Sequence, residues 1–237
     1  MIIPDIFKEF PELCTGISTK QDIAPWGDMD LSAVDPISYH QDFFRRLGIS
    51  AAQLAKPVQK HTSKITEVNF PGKYDDCDAL VTNKENIALV VSVADCVPVM
   101  LFDSVNKVIG VIHAGWRGTS EKITAKTIRA IKNKYGVEPE NLRAYIGPSA
   151  GVCCYEVDKK IAGKFSNQAV FYKNNKIYLD LKMENMIQLS SEGVIKANIQ
   201  ISKQCTICDS DIFFSYRREG KKAGRMLAVI CLKKLKD

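Results

Sequence analysis

Apolar residues along this chain fall mostly in short β-branched runs. The stretches 65–70, 79–82, 87–93, 97–102, 107–112, 143–146, 212–216 and 226–232 have the length and composition of strands. Helical spacing is clearest from about 120 to 135, where Ile123, Thr127, Ile128, Ile131 and Tyr135 share a face and Gly136 stands ready to end the helix. Residues 36–47 and 181–191 show the same spacing more weakly. Strands outnumber helices, and several follow one another too closely for crossover helices. The pattern therefore predicts an α+β chain with mixed sheets and helices packed outside them. No internal repeat, low-complexity tract or Pro/Gly/Ser linker divides it, so residues 1–237 read as one domain.

The most informative segment runs from 90 to 118. Two apolar strands flank Asp103-Ser-Val-Asn106, whose polar ends suit a tight turn. If Asp103 pairs with Asn106, Cys96 falls directly opposite His113. Opposed Cβ atoms on one sheet face are about 4.5–5.5 Å apart, close enough for both side chains to reach one metal ion or each other. His113 is followed by Ala114-Gly-Trp-Arg-Gly-Thr-Ser120, a glycine-flanked turn before the strongest helix. Its glycines, Gly115 among them, let the backbone approach a ligand, and the helix start offers unpaired amides to an anion. Arg117 adds a forked, permanently charged donor suited to phosphate.

Composition narrows the chemistry. The chain is 46% hydrophobic and 25% charged, as ordinary globular proteins are. Its net charge of +6 is spread along the chain, which suits small anionic ligands and argues against a nucleic-acid groove. The longest apolar run is broken by Asp95 and Pro98 and is too short to span a bilayer. Without a secretory signal pattern, the expected home is the cytoplasm, and the eight cysteines read as thiols or metal ligands before disulfides. The only histidines are His40, His61 and His113, too few for a multicopper centre. A third donor from a separate loop, such as His61 in Gln59-Lys-His61, would complete two imidazoles and a thiolate around one ion. That is the donor set of an open zinc site.

Several segments appear together in a recognisable order: Val58-Gln-Lys-His61, Cys77-Asp-Ala-Leu-Val-Thr82, Ala94-Asp-Cys-Val-Pro98, His113-Ala-Gly-Trp-Arg-Gly118, the run from Ile146 to Val157, Phe214-Ser-Tyr-Arg-Arg218 and Gly224-Arg225. From about residue 14 onward the chain resembles the YfiH/YlmD-type family, formerly labelled multicopper polyphenol oxidoreductase or laccase-domain proteins. The resemblance implies a layered αββα sandwich with mixed sheets and one zinc ion held by His61, Cys96 and His113. It further implies phosphorolysis of purine nucleosides (adenosine, inosine, guanosine and methylthioadenosine) together with adenosine deamination. Asp95 is expected to move protons or orient a histidine, Arg117 to position phosphate, and Gln59, Gly115 and Lys20 to meet substrate. Lys20 lies where the family carries an arginine, in Ser18-Thr-Lys-Gln-Asp-Ile23, and keeps the charge without the forked geometry.

Two other chemistries compete. Cys96 activated by His113 without metal would make a thiol hydrolase. Two histidines, Cys96 and an axial Met100 would hold copper in an electron-transfer protein. Cys205-Thr-Ile-Cys208 has metal or redox spacing but no obvious second pair, so it reads as structural. Cys153 and Cys154 are expected to line the pocket or simply to pack. Arg217, Arg218 and Arg225 are expected either to bind phosphate or to form surface ion pairs.

Overall fold

A computed structural model describes residues 1–23 and 35–234. In chain order its strands are β1 Leu13–Ile17, β2 Leu54–Pro57, β3 Ile65–Glu67, β4 Gly72–Tyr74, β5 Ala79–Thr82, β6 Ala88–Val93, β7 Val97–Asp103, β8 Val108–Ala114, β9 Leu142–Ile146, β10 Glu156–Val157, β11 Val170–Lys173, β12 Lys176–Leu179, β13 Ile199–Ile201 and β14 Met226–Leu232. The α-helices are α1 Pro36–Tyr39, α2 Gln41–Leu47, α3 Trp116–Ser120, α4 Ile123–Tyr135, α5 Lys159–Ala162, α6 Leu181–Ser191 and α7 Tyr216–Glu219.

β7, β8 and β14 are buried at every position, which is why they read as unbroken apolar runs: each needs cover on both faces. That cover comes from stacking two mixed sheets, one ordered β1-β14-β6-β2-β4 and the other β13-β9-β7-β8-β5-β3. Leu89, Val91, Met100, Phe102, Ile109, Val111, Ala228 and Ile230 interdigitate between them. On the far side of the six-stranded sheet, Ile123, Ile128 and Ile131 of α4 and Leu181 and Leu189 of α6 pack against Val99, Leu101 and Ile112. On the far side of the five-stranded sheet, Phe43, Phe44 and Leu47 of α2 cover Val90, Leu227 and Val229. The result is the layered αββα sandwich with mixed sheets. A small sheet, β10-β12-β11, flanks it. Among the described residues no helix is long and apolar enough to cross a membrane.

The elements depart from the sequence pattern at four informative places. The carboxylate of Asp103 accepts from Val105 N at 2.8 Å and Asn106 Nδ2 at 2.7 Å, and Lys107 is left-handed with φ 51. Asn106 is thus drawn into the turn and Asp103 pairs with Val108, so Pro98, not Cys96, lies opposite His113. The slip is two residues, so it preserves the sheet face and leaves Cys96 diagonal to His113. The helix expected from Ser120 begins earlier, at Trp116, and breaks at Lys122, φ 63. There α6 supplies the missing partners: Gln188 Nε2 donates to Thr119 O at 2.8 Å, and Asn185 bridges Thr119 and Thr124. The helix expected over 36–47 is two short ones hinged at His40. The aromatic run 212–216 is no strand, because the amides of Ile212 and Phe213 turn back to Asp209 O and Ser215 caps α7.

Candidate active site

Three segments meet at one end of the stacked sheets. His113 lies near the end of β8 and Cys96 just before β7, while His61 sits in the loop between β2 and β3 with a left-handed backbone, φ 58. Their donor atoms all lie within 4.8 Å of one another. The two imidazoles meet edge to face with centroids 4.9 Å apart.

Asp78 builds this meeting point. It is fully buried just ahead of β5 and receives His113 Nδ1 at 2.7 Å, which turns the opposite ring nitrogen toward the centre. Its oxygens also accept the backbone amides of Lys60 at 3.1 Å, His61 at 3.1 Å and Thr62 at 2.7 Å, with the Thr62 hydroxyl at 3.0 Å. One carboxylate thereby fixes the His113 ring and the His61 loop together. Burial works against its charge, but these donors hold it down to about 2. Burial likewise opposes a thiolate at Cys96, yet the imidazoles of His113 and His61 bring it down to about 6. His113 is lowered by burial but lifted by the Cys96 thiolate and Asp78, to about 9.

Two glycines make the approach possible. A Cβ on Gly115 would stand 3.1 Å from both Cys96 Sγ and His61 Cδ2. A Cβ on Gly118 would stand 2.7 Å from Thr62 O, so α3 packs on the His61 loop only because that residue has no side chain. The triangle opens onto a cavity of about 820 Å³ whose lining includes Trp116, Arg117, Tyr155, Tyr216, Arg217 and Arg225. The Arg117 guanidinium lies over the Trp116 ring at 4.4 Å and that of Arg217 over Tyr155 at 5.1 Å.

Residues 37–233 match the family model described as multi-copper polyphenol oxidoreductase laccase. The chain is a YfiH/YlmD-type laccase-domain protein. A solved relative, YlmD from Geobacillus stearothermophilus, superposes with TM-score 0.87 at 26% identity over 96% of this chain and 94% of that one. The Bacillus licheniformis protein YfiH gives TM-score 0.86 at 29% identity, over 95% of each chain. In sequence, the chain is 37% identical over 181 residues to the Clostridium acetobutylicum protein named purine nucleoside phosphorylase CA_C1699, covering 74% of this chain and 75% of that one. The chain spans about half (49%) of the longer mouse protein named purine nucleoside phosphorylase LACC1.

In this laccase-domain chain the residues expected to meet substrate divide sharply. Gln59 lines the cavity, but its amide is engaged at both ends with the Ser92 backbone, at 2.9 and 2.8 Å. Gly115 stands against the donor triangle, and Arg117 lies in the cavity wall within α3 instead of in a turn before a helix. Lys20 is not in that wall: its ammonium donates to Ser210 O at 2.9 Å and Glu219 at 3.1 Å. Asp95 lines the cavity without touching a histidine. Its carboxylate accepts from Thr206 Oγ1 at 2.6 Å, Ser215 Oγ at 3.0 Å and Arg217 N at 2.7 Å. The group that orients a histidine is Asp78, which stood unremarked in the Cys77-to-Thr82 segment. Arg218 buttresses the carbonyls of Thr206, Ile207 and Phe213 outside the cavity, whereas Arg217 and Arg225 face it. Met100 lies in the core between the sheets, away from the donors. Cys153 and Cys154 do not line the cavity but meet Cys205 and Cys208.

Proposed function

We propose that this chain catalyses zinc-dependent phosphorolysis of purine nucleosides (adenosine, inosine, guanosine and methylthioadenosine) and also deaminates adenosine. The observation that carries the reading is the convergence of His61, Cys96 and His113 in a cavity that also gathers Arg117, Arg217 and Arg225. Names given to relatives, such as the Clostridium acetobutylicum purine nucleoside phosphorylase, agree with its phosphorolysis of purine nucleosides. The donor set suits zinc: one thiolate favoured by its neighbours, one imidazole oriented by a buried carboxylate, and a third donor from a separate loop. When bound, zinc supplies Lewis acidity at its open fourth position. Copper is the less suitable ion here, because Met100 is out of reach as an axial ligand.

In phosphorolysis a phosphate oxygen bonds to the anomeric carbon as the bond from that carbon to the base breaks, and the electron pair leaves with the purine. The protein's task is to hold the anion in line and give charge developing on the reactants fixed partners. Arg117 and Arg217 are suited to it, since each guanidinium is already stacked on an aromatic ring and loses little freedom on binding phosphate. Trp116, Tyr155 and Tyr216 offer flat apolar surface for the purine. Asp95 holds the Arg217 backbone in place through its amide. Proton transfer by Asp95 would require one of its three donors to let go.

The test is product analysis with adenosine. Adenine and ribose 1-phosphate should appear only when phosphate is present, and inosine should form with or without it; adenine release that ignores phosphate would contradict the assignment. A metal-free thiol enzyme is the second reading, favoured by the line of Asp78, His113 and Cys96, which has the order of orienter, base and nucleophile. His61 on the same sulfur favours the metal. Complete removal of metal with activity retained would decide for the thiol.

A further inference from the structure

Behind the cavity wall, four thiols gather, with Cys153 and Cys208 exposed and Cys205 buried beneath them. Cys153 and Cys154 lie in the turn after β9, and Cys205 and Cys208 in the loop after β13. Their sulfurs all lie within 4.8 Å of one another, with Cys153 Sγ 3.6 Å and Cys154 Sγ 3.2 Å from Cys208 Sγ. None is paired in a disulfide. A tetrahedral ion with bonds of about 2.3 Å to sulfur needs its sulfurs about 3.8 Å apart, so no separation in the cluster has to change by more than about 1 Å to complete the shell.

The backbone around the cluster is packed closely against the sulfurs. Gly151 N donates to Cys205 Sγ at 3.2 Å. Gly151 also leaves the space the cluster needs, since a Cβ there would meet Cys153 Sγ and Cys205 Cβ at 3.1 Å and Cys205 Sγ at 3.2 Å. Beside the cluster the largely buried Lys182 donates to Ser202 O at 2.9 Å and Gln204 O at 3.0 Å, in the segment that leads into Cys205. It brings positive charge toward what would be a doubly negative four-thiolate site. Cys153 and Cys208 are exposed, which gives an ion its way in.

We propose that Cys153, Cys154, Cys205 and Cys208 bind a second zinc ion in a closed, non-catalytic four-thiolate site. The ion displaces thiol protons to solvent, with no oxidation or reduction. Four protein ligands leave no open position, so its work is to join two loops. Those loops serve the cavity: Tyr155 follows Cys154 directly, Ala150 N donates to Asp95 O at 3.0 Å, and Thr206 Oγ1 donates to the Asp95 carboxylate at 2.6 Å. The spacing Cys205-Thr-Ile-Cys208 is half of a metal site whose other half lies more than fifty residues upstream.

The experiment is a zinc count on the full chain, purified under reducing conditions without added metal. Wild type should hold two equivalents, Cys96→Ser and Cys208→Ser one each, and the double variant none. Failure of the cavity reading would leave Cys96→Ser unchanged, whereas failure of this proposal would leave Cys208→Ser unchanged. Cobalt loaded into the Cys96→Ser protein should give an intense sulfur-to-metal charge-transfer band, lost when Cys153 and Cys208 are also changed to serine. Should a thiol variant fail to fold, titrating wild type with a mercurial while a dye reports released zinc gives the same count. No zinc released with the modification of these four thiols, a Cys154–Cys208 disulfide in non-reducing peptide mapping, or iron in place of zinc overturns the proposal.

Discussion

Asp78→Asn tests the logic of the site at its root. The carboxylate serves two sets of donors, His113 Nδ1 on one side and the 60–62 loop on both oxygens. An amide has one acceptor oxygen and one donor group, so it cannot satisfy both. With the donor group facing His113, the imidazole must move its proton to the nitrogen that faces Cys96 and His61, and that nitrogen ceases to be a metal ligand. With the donor group facing the loop, buried amides lose their acceptor and the His61 loop is pushed away. The first outcome costs about 10- to 100-fold in metal affinity, the usual effect of removing an outer-shell partner. The second costs about 1–3 kcal/mol for each donor left unsatisfied. In a chain of this size each kcal/mol lowers the melting temperature by about 2–4 °C. Chelator competition would measure zinc affinity, and thermal unfolding of the metal-free protein the stability. An Asp78→Asn protein with wild-type affinity and wild-type melting temperature would refute the claim that this carboxylate organises the centre.

Three further outcomes are expected. Gly115→Ala should weaken zinc binding at the cavity site and slow phosphorolysis while the fold persists, because its methyl would press on Cys96 Sγ and His61 at 3.1 Å; circular dichroism beside a zinc affinity measurement and a product assay checks this. Arg117→Ala and Arg217→Ala should each raise the KM for phosphate at least tenfold, in line with the loss of a charge-assisted contact worth about 1.5–3 kcal/mol, and an equal effect on phosphate-independent deamination would argue against the assignment. His40 is fully buried, and burial lowers its pKa from 6.5 to about 4. Between those pH values the unfolded chain binds more protons, so stability should fall by about 3 kcal/mol as pH drops through the window. Urea unfolding across that range should show a shallower slope for His40→Asn, and identical slopes would contradict the claim.

What could be read from the sequence, and what could not, follows from the range of the interactions involved. β5, β7, β8 and β14 were legible because burial on both faces leaves an unbroken apolar run, and α6 because its apolar positions recur locally. The edge strands β4 and β10 were not, and neither was the four-residue β2 between β6 and β4, since strands so short are defined by the partners they pair with. The Cys96–His113 register slipped because Asp103 prefers to bond the turn backbone beyond it, a choice between two local geometries that alternation alone does not rank. The cavity's donor residues stood out by residue type and spacing. Asp78 did not, because its partners are backbone amides brought by another loop and a histidine 35 residues away. The four-cysteine cluster was hidden for the same reason, as its two pairs lie on loops joined only by the fold.

The most direct test of the central claim is to remove all metal from the protein, restore zinc in steps, and follow phosphorolysis of adenosine against zinc bound to the wild type and to Cys96→Ser. Activity should be absent from the stripped protein, return in proportion to zinc filling the His61, Cys96 and His113 site, and never return in the variant. Full phosphorolysis by the metal-free protein would contradict the account.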